Sequence, residues 1–311
     1  MRILFFGSAA FAIPTLRQLH DSAHEIVAVV TQPDQPAGRG RALTPCPVAA
    51  EAQTLRLPLL QPATLHDPAL LTTFQSLQPE LIVVVAYGKF LPTSVCTLPS
   101  HRAINLHPSL LPKYRGAAPI QWALLNGDHS TGITTLYVSN TMDAGDVLLQ
   151  QTAPIHTTDT AATLHDRLAT LGAALILTTV DGLANATLRA QPQDEQSVVL
   201  APKLTKADSR IDWRLPAAAI INRIRGLTPW PGTHTTLRGR ALKIHWAEIP
   251  VDRSVPADAQ PGTVVAVTRS LQVATGDGRL CLTDLQLEGG KRLRSEELLR
   301  GYPVAVGERL Q

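Results

Sequence analysis

The sequence predicts an α/β fold: an open, mostly parallel sheet with helices, followed by a small β-barrel. Three observations carry this. Up to residue 184, apolar runs of strand length alternate with helical stretches. The stretch 185–206 is polar and has no period, which predicts a linker. After it come several short strands separated by glycine turns. With 311 residues, 44% apolar and 17% charged, the chain is long enough for two folded domains. The expected boundaries are 1–184 for the first and 207–311 for the second.

The elements follow in order. Ile3–Phe6 is an apolar run closed by Gly7, so residues 1–7 read as a first buried strand and not as a signal peptide. A helix is expected near Ala10–Leu19 and a strand at Ile26–Val30. Residues 33–47, PDQPAGRGRALTPCP, form a loop rich in proline and glycine. A helix over Val48–Leu55, a short strand at Leu57–Leu60 and a helix over Asp67–Leu77 come next. Leu81–Ala86 is nearly all apolar, as a central parallel strand buried on both faces requires. Strands follow at Ala103–Leu106 and Gly132–Val138, then a long helix over Thr160–Leu183 with Thr158 or Asp159 as its cap. Beyond the linker, a short helix at Ala217–Arg225 precedes strands at His234–Leu237, Ala241–Glu248, Gly262–Val267, Leu271–Thr275 and Leu280–Leu287. Arg238-Gly239-Arg240, Pro261-Gly262 and Gly276-Asp277-Gly278 separate them as turns.

Composition excludes several classes. Cys46, Cys96 and Cys281 lie far apart with no CxxC pair, so neither a disulfide scaffold nor a cysteine zinc site is expected. A reducing, cytoplasmic setting is the default. No uninterrupted apolar run approaches the roughly 18 residues of a membrane span. The net charge of +3 is uneven, with −1 over residues 1–206 and +4 over 207–311. A basic second part suits a polyanionic partner, with Arg223, Arg225, Arg238, Arg240 and Lys243 as its candidate contacts.

The chemistry-bearing segment is Ile104-Asn105-Leu106-His107-Pro108-Ser109-Leu110-Leu111-Pro112. Asn105 and His107 stand two apart at the end of a strand, which puts them on one face and Leu106 on the other. The carboxyl ends of parallel strands are where open α/β sheets bind ligands. A histidine in acid–base work needs a carboxylate to fix its tautomer and support its charge. Met142-Asp143-Ala144-Gly145-Asp146 offers two, and turn formation alone also explains both. No HxH or HExxH spacing supports a metal, and Ser109 lies in no GxSxG elbow. Gly7-Ser8-Ala9-Ala10-Phe11 carries one glycine and is no dinucleotide fingerprint.

Taken together, Thr31 through Gly40 (TQPDQPAGRG), Val85-Ala86-Tyr87-Gly88, Ile104 through Pro112, Lys113 through Gln121 (KYRGAAPIQ) and Met142 through Asp146 resemble the methionyl-tRNA formyltransferase family. Arg210-Ile211-Asp212-Trp213 and Pro229-Trp230-Pro231-Gly232 extend the resemblance over nearly the whole chain. It implies a Rossmann-like formyltransferase domain followed by a barrel of oligonucleotide-binding type. It implies 10-formyltetrahydrofolate as formyl donor, initiator methionyl-tRNA as acceptor, no metal, no membrane, and a monomer. The family's catalytic residues fall on Asn105, His107 and Asp143, and its folate-contacting turn on Ser109, Leu110, Leu111 and Pro112. Its tRNA-contacting loop falls on Arg39 and Arg41. This sequence departs from the family with Ser8-Ala9 for Thr-Pro, Ala42 for a basic residue and Thr228 for Asn.

Formyl transfer to an amine needs a neutral amine, a stabilised oxyanion and a proton for the departing nitrogen. Asn105 supplies an amide donor, His107 a hydrogen bond or proton, and Asp143 a base that supports the histidine. The rival readings are a formyltransferase for a small amine, a formyltetrahydrofolate hydrolase, and a non-catalytic RNA-binding protein. The loop at 33–47 and the basic second part weigh against the first two, and the Asn105, His107 and Asp143 set against the third.

Overall fold

The computed structural model describes residues 1–37 and 42–311. Arg39 and Arg41 therefore lie outside the described residues. The chain divides into two compact units. One comprises Met1–Pro119, Ser130–Pro154 and His165–Ala201; the other comprises Ile120–His129, Ile155–Leu164 and Pro202–Gln311.

The first stretch of chain contributes β1 (Arg2–Gly7), α1 (Ile13–His20), β2 (Glu25–Val30), the short pair β3 (Gln35–Ala37) and β4 (Ala42–Thr44), and α2 (Pro47–Thr54). Then come β5 (Leu59–Leu60), α3 (Pro68–Ser76), β6 (Leu81–Val85), α4 (Thr93–Cys96), β7 (Ala103–His107), β8 (Lys113–Gly116) and α5 (Pro119–Leu125). β9 (Ser130–Tyr137), β10 (Val147–Pro154), α6 (Ala161–Ala184) and β11 (Val199–Ala201) complete it. Among the described residues the main sheet has seven strands, in the order β10-β9-β7-β6-β1-β2-β5. β7, β6, β1, β2 and β5 are parallel; β9 and β10 join antiparallel.

The expected apolar runs are the central strands. Ile3–Phe6 and Leu81–Val83 are fully buried, so both faces of β1 and β6 are covered. On one face Phe6 meets the rings of Phe74 from α3 and Tyr87 edge-on, at 5.7 and 5.3 Å between centroids. The expected first helix opens instead as a 3₁₀ turn at Ala10–Ala12, and Ile13-Pro14 starts the α-helix, where proline lacks only an amide that has no partner anyway. Asp67 caps α3 by accepting from the amide of Ala69.

α6 departs from expectation twice. The Thr160 hydroxyl, not Thr158 or Asp159, accepts from the amide of Thr163 in the first turn; Asp159 accepts from the amide of His156. By length and composition α6 is also long and apolar enough to cross a membrane, and half of its apolar window is buried within the fold. Ala169, Ala173, Ile176 and Val180 recur at helical spacing among its buried residues, so this apolarity serves packing.

The composition of 185–206 predicted a linker, yet part of this stretch is built into the first unit. Gln191 and Val147 exchange two backbone hydrogen bonds of 2.8 Å, and β11 pairs in parallel with β8. Gly116 of β8 shows how tightly: at φ +130°, a Cβ there would stand 2.6 Å from the carbonyl oxygen of Ala201. Strands of three or four residues are too short to leave a periodic signal, which is why β8 and β11 escaped the pattern.

The second unit holds α7 (Ala217–Gly226), β12 (Thr233–Leu237), β13 (Arg240–Glu248), β14 (Val264–Val267), β15 (Leu271–Ala274), β16 (Arg279–Leu287), β17 (Leu293–Arg294) and α8 (Ser295–Gly301). These strands pair antiparallel, in the order β12-β13-β16-β15-β14 with β17 beside β16. Strand periodicity sends Leu242, Ile244, Leu280 and Leu282 inward to a core shared with Ile220, Ile224 and Leu298. The last residues touch both edges of this sheet. Gln311 and Thr236 of β12 exchange backbone hydrogen bonds, while Glu308 and Leu310 bond to Val264 and Gly262 at the other edge.

Candidate active site

The site is built at the carboxyl end of β7. Asn105 is partly exposed, His107 is 4% exposed, and Leu106 points away into α6, where a Cβ on Gly172 would come within 2.5 Å of it. The alternation read from the sequence is thus realised. Asp143 arrives from the loop between β9 and β10. Its Oδ1 stands 3.5 Å from both Asn105 Nδ2 and His107 Nδ1, and its Oδ2 accepts a 3.0 Å hydrogen bond from the Gly116 amide. The three residues are adjacent but not locked, since 3.5 Å is at the limit of a hydrogen bond. Asp146 is exposed, and its carbonyl accepts from the Tyr137 amide at the mouth of the β9–β10 pairing.

The histidine tautomer follows from its second contact. His107 Nε2 lies 2.9 Å from the carbonyl oxygen of Tyr114, which can only accept, so Nε2 carries a proton. In the neutral ring Nδ1 is then a bare acceptor beside Asp143 and Asn105. In the imidazolium Nδ1 becomes a donor toward the Asp143 carboxylate.

The turn after β7 is held internally. The Ser109 hydroxyl donates to the Lys113 carbonyl at 2.6 Å, so this fully buried side chain locks the turn. Thr134 donates to the Ser109 carbonyl and accepts from the Leu111 amide, and Gln150 donates to the Leu111 carbonyl. The Leu111–Pro112 bond is cis. Leu111 is buried; Leu110 and Pro112 are half-buried.

The Asp143 loop has supports that sequence reasoning missed. Asp143 itself adopts φ +54°, the left-handed region that a residue with a Cβ enters at a cost. Gly145 packs so closely that a Cβ would stand 1.8 Å from the Tyr137 carbonyl oxygen. The Gln193 side-chain amide donates to the carbonyls of Asp143 and Gly145 at 2.7 and 2.8 Å. Its oxygen accepts from Arg115 Nε at 3.0 Å, and Arg115 forms a two-pronged ion pair with Glu195. That hydrogen bonding holds the Glu195 carboxyl below the usual carboxylate range. These contacts span 48 to 80 residues of sequence, and no short motif announces them.

The basic residues of the second unit are mostly spent within it. Arg225 donates to the carbonyls of His156 and Asp159, and Arg223 to that of Asp208. Arg238 pairs with Glu308, and Arg240 donates to the Glu288 carbonyl. Among the described residues only Lys243 of the five candidates makes no such contact. Charge counting alone could not see these internal commitments.

A formyl transferase family model matches residues 1–180, and the model of the formyl transferase C-terminal domain matches 203–303. The chain is 45% identical to methionyl-tRNA formyltransferase of Halalkalibacterium halodurans over 303 residues, covering 97% of this chain and 95% of that one. It is 45% identical to the protein of that name from Methylococcus capsulatus over 311 residues, covering 100% and 99%. The chain belongs to the methionyl-tRNA formyltransferase family. Solved structures share the fold at lower identity. WlaRD, a sugar 3N-formyl transferase, superposes with a TM-score of 0.69 at 14% identity, over 94% of this chain and 99% of that one. HypX from Aquifex aeolicus, solved with tetrahydrofolic acid, gives 0.63 at 19%, over 98% of this chain and 48% of its own. Membership of the family accounts for a parallel sheet with an antiparallel sheet after it.

Proposed function

We propose that this protein transfers the formyl group of 10-formyltetrahydrofolate to the amino group of initiator methionyl-tRNA. The observation that carries the reading is the convergence of Asn105, His107 and Asp143 on one point, with Asp143 Oδ1 3.5 Å from each of the other two, in a chain 45% identical to full-length relatives of that name.

The residues divide the work as follows. Asn105 Nδ2 donates to the formyl oxygen as it gains negative charge. His107, its Nε2–H held by the Tyr114 carbonyl, adds positive charge at Nδ1 to the same centre. Asp143 keeps that charge in place and receives the proton lost by the attacking amine, directly or through a water. The proton returns to the departing folate nitrogen as the tetrahedral intermediate collapses. Ser109, Leu110, Leu111 and Pro112 form the turn that contacts the folate. Arg39 and Arg41 contact the acceptor stem, and the domain at 207–311, a barrel of oligonucleotide-binding type, adds affinity for tRNA. Residues 1–184 are the catalytic domain in this reading, with the paired part of 185–206 built into it and the remainder leading to the second. The enzyme is a cytoplasmic monomer, as the family resemblance implies.

The test is a formylation assay with charged initiator tRNA beside uncharged tRNA and small amines. Product with the charged tRNA alone supports the reading; product with small amines, or folate hydrolysis without an acceptor, overturns it. Arg39→Ala and Arg41→Ala separate the ligands: each lowers efficiency with methionyl-tRNA and leaves folate affinity unchanged. Equal loss for both ligands rejects the tRNA assignment.

A further inference from the structure

We infer that Gln193 is a positioning residue for formyl transfer, holding the Asp143 loop so that the carboxylate stays in register with His107. The inference rests on the catalytic reading of Asp143 given above and adds to it the device that aims the group.

Both N–H groups and the oxygen of the Gln193 amide are engaged. Its two N–H groups go to the Asp143 and Gly145 carbonyls, and its oxygen takes the Arg115 Nε–H. Those two carbonyls flank Ala144, so one side chain grips the loop on both sides of its apex. The loop needs such a grip. Asp143 sits at φ +54°, a conformation that persists only where the surroundings over-determine it. Its carboxylate reaches the site from a strained backbone, and a relaxation of φ would swing Oδ1 away from His107 Nδ1.

β8 is the anchor for both attachments. The Gly116 amide holds Asp143 Oδ2, while the preceding residue, Arg115, holds Gln193. The same strand supplies the Tyr114 carbonyl that fixes His107 Nε2. Three consecutive residues of one strand therefore set the histidine, the amide that grips the loop, and the carboxylate. Arg115 is only 6% exposed, and its guanidinium is neutralised by Glu195, two residues beyond Gln193. This pair keeps the strap at 193–195 seated on β8. A side chain needed only to fill space or tie down a surface stretch would not have to supply both N–H groups to the two carbonyls around the catalytic carboxylate.

Gln193→Glu and Gln193→Ala test this, each alone and in the Asp143→Asn background, in the full-length enzyme. Gln193→Glu keeps the shape and the acceptor for Arg115 and loses both donors, so it separates the hydrogen bonds from packing. Each variant alone should lower kcat by about 10- to 100-fold, the scale of a 1 Å misplacement, with KM for folate and tRNA within about twofold of wild type. The limb of the pH–kcat profile that reports the His107–Asp143 pair should shift. In the Asp143→Asn background neither variant should cost more, because the carboxylate they aim is gone. Full kcat in both variants, raised KM at constant kcat, or an equal further loss in the Asp143→Asn background each overturns the role of Gln193. Wild-type turnover by Asp143→Asn alone overturns the catalytic reading beneath it, so the two failures are distinct.

Discussion

Replacing Asp143 by Asn removes one charge and leaves the shape of the site. In the native arrangement Oδ2 accepts from the Gly116 amide, and Oδ1 faces His107 Nδ1 and Asn105 Nδ2. The asparagine amide has one oriented solution, because its NH₂ cannot face the Gly116 N–H. Its oxygen takes that bond, and its NH₂ turns to His107 and Asn105. There it donates to the bare Nδ1 and carries no charge to face the ring, while crowding the donor of Asn105. The lost attraction is that of unit charges about 3.5 Å apart; at an effective dielectric constant near 20 this is ~4–5 kcal/mol. Both side chains are nearly sheltered, at 5% and 12% exposure, so screening removes little of it. A loss of about 10³-fold in the chemical step follows, inside the range of about 10²–10⁴ for losing an acid–base group. The Gly116 bond survives, so the melting temperature should move by no more than a few degrees. The assay is single-turnover formylation of charged initiator tRNA with enzyme in excess. A rate within threefold of wild type, or a larger loss from Asp146→Asn than from Asp143→Asn, refutes the assignment.

Further outcomes concern neighbouring residues. Gly145→Ala forces the loop off the Tyr137 carbonyl, since its Cβ would stand 1.8 Å from that oxygen; formylation should fall about 100-fold while folate binding holds, and normal turnover would show that the close approach is dispensable. Leu310→Ala empties a core position that is 1% exposed and should cost about 2–5 kcal/mol in the urea unfolding of the second unit; a shift below about 1 kcal/mol contradicts its packing role. Burial pushes the Cys96 thiol above its ordinary range, so on thiol titration of the native protein it should react after the half-buried Cys46; simultaneous reaction at neutral pH denies that ordering. His107→Ala should abolish most turnover with a normal melting curve, and retention of activity would remove the histidine from the mechanism.

Much of this architecture was legible because burial imprints itself on sequence. β6 is buried on both faces and reads as LIVVV; β13 alternates and is half-covered. That Asn105 and His107 share a face at a strand end was legible because a strand has period two. Asp143 was singled out by the family resemblance as a carboxylate in a glycine turn, and its position beside them was not legible from spacing. What stayed hidden shares one property. Tyr114 acts through its carbonyl and Gly116 through its amide, groups that every residue carries. Gln193 and Glu195 lie in a polar stretch whose contacts are hydrogen bonds to distant partners, with no apolar rhythm to mark them. The internal spending of Arg223, Arg225 and Arg238 was equally invisible, because a charge count cannot tell a surface arginine from one capping a carbonyl.

The reach of Gln193 across 50 residues to the Asp143 carbonyl has a kinetic corollary. Helices assemble from local chain, whereas the strap joins β8 only after long stretches of chain have been brought together. Closing such distances is slow relative to helix formation. During refolding from denaturant, circular dichroism should therefore recover first. The capacity to formylate should return later, on the timescale of the strap's docking and not of helix formation.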